Sequence, residues 1–257
     1  GKDRLPPFYL PYMIAATTPL WVLFLCAAGQ LGALKSWKKG IGRSDRALGL
    51  LLCTLLWLLP LGAAVAAGAT VYNGWRHFYF LYGPMLVLAA YGLHGLYRLM
   101  EGKRLASRLL TVLLSLCMAL TGVGIVTQHP YQYAYEQPVV RLLTGQDDLE
   151  RDYWNVSVLN ALETLAGQAE GEIIIAPADL WARAGLENAL YVMEPRLRRR
   201  FIPTEGAAEY VLSNPTYALF SGWEPSEEQE EAVTIRAYGR TLMRIDRDRA
   251  WTKEQGE

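Results

Sequence analysis

Four long apolar runs dominate the first half of the chain, at Ile14–Leu34, Ala47–Thr70, Phe78–Leu96 and Leu109–Thr127. Each is about 20 residues, the length at which a helix crosses roughly 30 Å of hydrocarbon. Pro19, Pro60 and Pro84 lie inside them, and membrane helices tolerate proline. The third run is the least apolar, because it carries Tyr82, Tyr91 and His94. Four such runs in succession predict a membrane region rather than the buried core of a soluble protein.

From Asp152 the pattern changes to that of a soluble α/β unit. "DYWNVSVLNALETLAGQ" places Val156, Leu159, Leu162 and Leu165 at helical spacing and ends near Gly167. "GEIIIAP" reads as a buried strand, and "DLWARAGLENALYVM" as a helix capped by Asp179. "RRRFIP", "EYVLS" and "TYALFSGW" read as short strands, and "AVTIRAYGRTLMRIDRD" alternates about Gly239 as a terminal hairpin would. The predicted fold class is an α-helical membrane region of about four transmembrane helices followed by a small extracytoplasmic α/β domain. The expected boundaries are 1–127 for the helices, 128–151 for an interfacial linker and 152–257 for the α/β domain.

Charge sharpens this division. The 257 residues are neutral overall, but residues 1–127 hold 12 Lys/Arg against 3 Asp/Glu, and residues 128–257 hold 13 against 22. "KSWKKGIGRSDR" (35–46) and "RLMEGKRLASR" (98–108) concentrate the positive charge in two short loops separated by two spans. Short basic loops stay in the cytoplasm. Topology determination, not nucleic-acid binding, is what they predict. Residues 1–12, 71–77 and everything after about Gln128 then lie outside, in an integral protein of the cell membrane.

The polar "GKDRLPP" leads directly into the first span, with no cleavable signal peptide and no initiator Met. It predicts the C-terminal part of a longer membrane protein. Cys26, Cys53 and Cys117 all fall in predicted spans and read as small packing residues. No Cys/His spacing fits a metal site, and no cofactor motif is present. "RLRRR" (Arg196, Arg198–Arg200) reads as a solvated face, although it could grip phosphate. "NVS" at Asn155 matches a glycosylation tripeptide inside a predicted helix, and "SEEQEEA" (Glu227, Glu228, Glu230, Glu231) reads as a solvated turn or helix start.

Three aromatic-polar segments meet at the expected outer surface: "LPPFYLPYM" (5–13), "VYNGWRHFYF" (71–80) and "HPYQYAYEQP" (129–138). Tyr and Trp gather at membrane interfaces because their rings are apolar with a polar edge. That belt leaves Arg76 and His77 unexplained, since positive charge is disfavoured on the translocated side. A fixed arginine just outside the bilayer can neutralise a lipid-linked phosphate through a bidentate fork. His77 can donate to the same phosphate or exchange a proton.

Together "LPPFYLPYMIAATTPL", "YNGWRHFYFLYGP" and "HPYQYAYEQP…ERDYW" resemble the C-terminal half of bacterial integral-membrane glycosyltransferases of the GT-C superfamily. The likeness is to the glycosyltransferase family 39 or dolichyl-phosphate-mannose protein mannosyltransferase-like group, and it covers most of residues 5–155. It implies a transferase that takes a sugar from a polyprenyl-phosphate donor on the outer face and passes it to an unknown protein, lipid or glycan acceptor. The implied donor contacts are Arg76, with His77 and Tyr12 behind it. The implied catalytic acid lies in the first outer loop of such proteins, upstream of this chain, so no catalytic residue is named here. Asn73 stands where relatives often carry Asp, and Tyr135–Gln137 reads "YEQ" where "YFN" is usual. The competing expectation is a non-catalytic membrane scaffold whose outer domain recruits a partner in envelope assembly.

Overall fold

In a computed structural model the described residues are 6–38, 44–71, 74–143, 151–217 and 222–252. The chain divides into two compact units, one of Gly1–Thr127 with Glu136–Leu143, the other of Gln128–Tyr135 with Thr144–Glu257.

The first unit is helical. Helix α1 (Tyr9–Thr17) is short, and α2 (Leu20–Lys38), α3 (Asp45–Ala67), α4 (Tyr82–Leu99) and α5 (Arg104–Thr127) are long. A 3₁₀ turn at Arg76–Leu81 leads into α4, and a short helix α6 (Pro138–Leu143) closes the unit. Among the described residues, four helices are long and apolar enough to cross a membrane: α2, α3, α4 with its leading turn, and α5. The first span begins later than the hydropathy run. Pro19 cannot donate a helical hydrogen bond and forces Thr18 to an extended ψ of 131°, so the run splits into α1 and α2. Ser44 caps α3 by accepting from the Ala47 amide, and Gly68 ends it at φ 59°.

Glycine decides how this unit packs. A Cβ on Gly29 would lie 1.8 Å from the Leu88 carbonyl oxygen, and one on Gly92 would lie 2.1 Å from that of Leu25. Helices α2 and α4 therefore touch backbone to backbone, the contact that small residues allow between membrane helices. Helix α5 has no buried residue. Its apolar exterior, with that of α3, suits a hydrocarbon solvent.

The second unit is α/β. Strands β1 (Ile173–Pro177), β2 (Phe201–Pro203), β3 (Tyr210–Ser213), β4 (Gln229–Ala237) and β5 (Arg240–Asp248) form one mixed sheet in the order β2-β1-β3-β5-β4. β1 is parallel to β2 and β3, whereas β3–β5 and β4–β5 are antiparallel. Helices α7 (Ser157–Gln168) and α8 (Leu180–Val192) cover one face. Their Leu162, Leu165 and Leu186 meet Ile173, Ile175, Leu212, Met243 and Ile245 in the core. A one-turn helix, α9 (Pro195–Arg198), joins α8 to β2.

Most expected elements of this unit form, including the Asp179 cap, whose Oδ1 accepts from Trp181 and Ala182 at 2.8 Å, and the β4–β5 hairpin. Four local readings change. Asn155, at φ 54°, and Val156 precede α7, so the "NVS" tripeptide lies at the helix start, with only Ser157 helical, and not inside the helix. The start of "TYALFSGW" is helical at Thr216 and Tyr217, and its residues 218–221 lie outside the described residues. Glu230 and Glu231 belong to β4, not to a turn or helix start, because they pair across the hairpin with Arg247 and Asp246. Arg200 is structural: its guanidinium donates to the carbonyls of Ala166, Ala169 and Gly171 and closes the end of α7. Arg196, Arg198 and Arg199 are the exposed part of that cluster.

Candidate functional site

The helices alternate in direction, so the start of α2, the end of α3, the Arg76–Leu81 turn and the end of α5 share one end of the spans. At this end the aromatic segments build a pinned turn. Gly74 takes φ 74° and donates its amide to the Tyr9 hydroxyl at 3.2 Å. Trp75 is buried, and its indole N–H donates to Thr17 Oγ1 at 2.8 Å. Its ring meets Tyr79 edge-on at 5.0 Å and Tyr82 at 4.7 Å. Tyr82 and Thr18 share a hydroxyl hydrogen bond of 2.8 Å. The turn is thus fastened to α1 at two points and to the α1–α2 break at a third.

Residues 136 and 137 hold the same break. Gln137 donates its amide to Ala16 O at 2.8 Å, and its side chain donates to the carbonyls of Ala15 and Thr18. These are orphan carbonyls at the end of α1, so one buried residue supplies the partners a terminated helix lacks. Gln137 Oε1 is buried and accepts no hydrogen bond among the described residues. Glu136 beside it is only 2% exposed. Neither residue announces itself in the sequence. Their one signal is two polar residues ahead of Pro138 at the end of an interfacial aromatic segment.

Arg76 and His77 emerge next to each other from the pinned turn. Arg76 is half-buried, His77 is exposed, and Arg76 Nε donates to His77 Nε2 at 3.4 Å. Tyr12 lies on α1 and is half-buried, and its side chain is not part of the adjoining groove's lining. Asn73 lies outside the described residues.

Pro11 and Ile14 line a groove of about 530 Å³ with Leu23, Ala27 and Leu31 of α2, Trp57 and Leu61 of α3 and Met85 of α4. Its polar groups are already spent. Gln30 donates to Thr54 Oγ1 at 3.0 Å and accepts from the Trp57 indole at 3.4 Å, while Thr54 donates to Leu50 O at 2.9 Å. What remains is a hydrocarbon-lined slot. Along the turn and the start of α4, Met85 stands roughly 15 Å from Arg76. A cation at one end and an apolar slot at the other can hold an amphiphile with an anionic head.

No protein-family model matches this chain, and no curated protein and no solved structure matches it. The site has to be read from its own residues.

Proposed function

We propose that the chain belongs to a membrane glycosyltransferase that moves a sugar from a polyprenyl-phosphate donor to an acceptor on the extracytoplasmic face. The observation that carries this reading is the pairing, within one helical unit, of the pinned Arg76 with the apolar groove. Arg76 neutralises the donor phosphate, His77 adds a hydrogen bond, Tyr12 is a further candidate contact to the donor phosphate, and the lipid chain occupies the groove. A guanidinium suits this task because its fork matches phosphate oxygens and its charge does not titrate. The sidedness follows from the basic loops. The segment resemblance to GT-C enzymes agrees with the same assignment, and in that scheme the catalytic acid is supplied from outside these residues.

Transfer by the full-length protein in proteoliposomes tests it. Arg76→Ala should lower the rate on the order of 10²–10³-fold, the usual cost of removing one aimed charge stabiliser, with insertion unchanged. Arg76→Lys should recover only part of it. Normal transfer by Arg76→Ala sinks the phosphate contact.

One observation favours the scaffold reading. The outer stripe of α8 presents Leu180, Trp181, Tyr191 and Val192 at 72%, 51%, 83% and 66% exposure, and exposed apolar clusters of this kind mark partner surfaces. On that reading, Arg76→Ala complements a deletion strain fully, and Leu180→Asp with Tyr191→Asp does not. The transferase reading expects the opposite pattern.

A further inference from the structure

At the other end of the spans, α2 and α4 part below their glycine contact and leave a cleft of about 340 Å³. Its rim carries Lys35, Arg46, His94 and Arg98, from three different helices, and its wall runs inward past Gly32 and Gly95 to Ala28. We propose that this cleft binds an anionic phospholipid, with the headgroup phosphate among the cations and an acyl chain against the glycine-lined wall.

Three observations carry the assignment. The first is convergence. Topology alone requires only that basic residues lie somewhere in the flanking loops, yet here three cations and an imidazole ring one cavity. Among the described residues Arg98 pairs with Glu101 at 3.9 Å, and both side chains are exposed. Such a pair is held weakly in water, so a phosphate can take its place.

The second is depth. From Lys35 to Ala28 the cleft follows α2 for about 10 Å, well into an apolar span. Leu31, Leu96 and Leu99 face it. A free inorganic anion has nothing to cover that wall, whereas a lipid tail does. The third is the origin of the space. A Cβ on Gly95 would meet nothing within 4 Å, so the cleft is open where that side chain is missing, whereas at Gly32 the Tyr91 ring already packs 2.9 Å from where a Cβ would stand. Basic pockets between spans at the cytoplasmic surface are a recurrent form of headgroup recognition.

The proposal needs only that the four helices cross a bilayer, and it stands apart from the transferase reading. Native mass spectrometry of the full chain in detergent, with added phosphatidylglycerol or phosphatidylcholine, tests it without any activity readout. Wild type should retain phosphatidylglycerol in preference to phosphatidylcholine. The triple variant Lys35→Ala, Arg46→Ala, Arg98→Ala should bind it about a hundredfold more weakly, from the ordinary contribution of a basic residue at an anionic surface. Because removing those charges can also disturb insertion, Gly95→Leu is the second arm. It fills the cleft, keeps every charge, and should also lose the lipid. Equal retention of the two lipids overturns the proposal, as does phosphatidylglycerol binding that neither variant changes. Displacement by excess inorganic phosphate would assign the cations to a soluble anion and overturn the lipid assignment.

Discussion

The two units solve the same problem, holding secondary structure together, by opposite means. In the helical unit, α2 and α4 approach until Gly29 and Gly92 meet the opposite backbone, and α5 buries none of its residues fully. In the α/β unit the leucines and isoleucines turn inward, and polar side chains tie the loops together. Asp152 is wholly buried and accepts from the Tyr133 hydroxyl at 2.6 Å, from the amides of Val156 and Ser157 at 2.9 and 3.1 Å, and from the Ser157 hydroxyl. Asn214 donates to Asp152 O at 2.9 Å and to Asn155 Oδ1 at 2.8 Å. In lipid, apolar burial gives helices no reason to associate, so close backbone contact must. In water, burial drives collapse and buried polar groups then fix which collapse is unique.

The sharpest way to break this contrast is to give one unit's glycines a side chain. Gly29→Leu or Gly92→Leu should abolish the α2–α4 contact, because the clash is with carbonyl oxygens and no side chain can move aside. The variant should aggregate on extraction, while limited proteolysis still yields a resistant C-terminal fragment. A well-behaved Gly92→Leu protein would show that the helices are held by something other than this contact.

Next in size is the polar counterpart. Asp152→Ala strands four donors in a buried site. Hydrogen bonds to a charged group contribute about 1.5–3 kcal/mol each but do not add fully, so a loss of roughly 3–5 kcal/mol is expected. Urea unfolding of the α/β unit in the micelle-embedded chain measures it, and a loss below about 1 kcal/mol would contradict the network's importance.

These two changes also mark what was legible in the sequence. The four spans could be read because hydropathy sums over some 20 neighbouring residues, and one error at Thr18–Pro19 does not cancel the sum. The helices and strands of the α/β unit could be read from their periodicity for the same local reason. The Asp152 network could not, since its partners lie 19 residues upstream at Tyr133 and 62 downstream at Asn214. Nor could the role of Gln137, which acts on carbonyls more than a hundred positions away. At the candidate site, Arg76 and His77 stand out because positive charge is disfavoured on the side of the spans opposite the basic loops. The Trp75–Thr17 bond that positions them is again long-range, joining residues 58 apart.

That bond supplies a smaller test. Trp75→Phe keeps an aromatic ring against Tyr79 and Tyr82 but drops the donor to Thr17. The stability cost should be about 1 kcal/mol, that of one hydrogen bond. Its larger consequence should be local: faster hydrogen exchange in the Arg76–Leu81 turn, with α2–α4 protection unchanged. Unchanged exchange in the turn would mean that ring packing alone holds Arg76 in place.

The smallest effect concerns a buried carboxylate of the α/β unit. Asp246 is fully buried on β5, and its Oδ1 receives Arg244 Nε and Nη2 at 2.6 and 2.5 Å. Its Oδ2 has no partner among the described residues. Burial pushes its carboxyl above the ordinary range, and the Arg244 guanidinium opposes that rise only in part. An acid whose folded pKa lies above its unfolded one holds its proton more tightly when folded. Its stabilising contribution is therefore full below the unfolded value and declines as pH rises toward the folded one. The α/β unit should lose stability from about pH 4 upward until Asp246 has ionised. Asp246→Asn should flatten that decline, because an amide fills the same space without a charge to desolvate. Near-UV circular dichroism of urea unfolding at stepped pH compares the two chains. Equal slopes would mean that Arg244 compensates the burial of Asp246 completely.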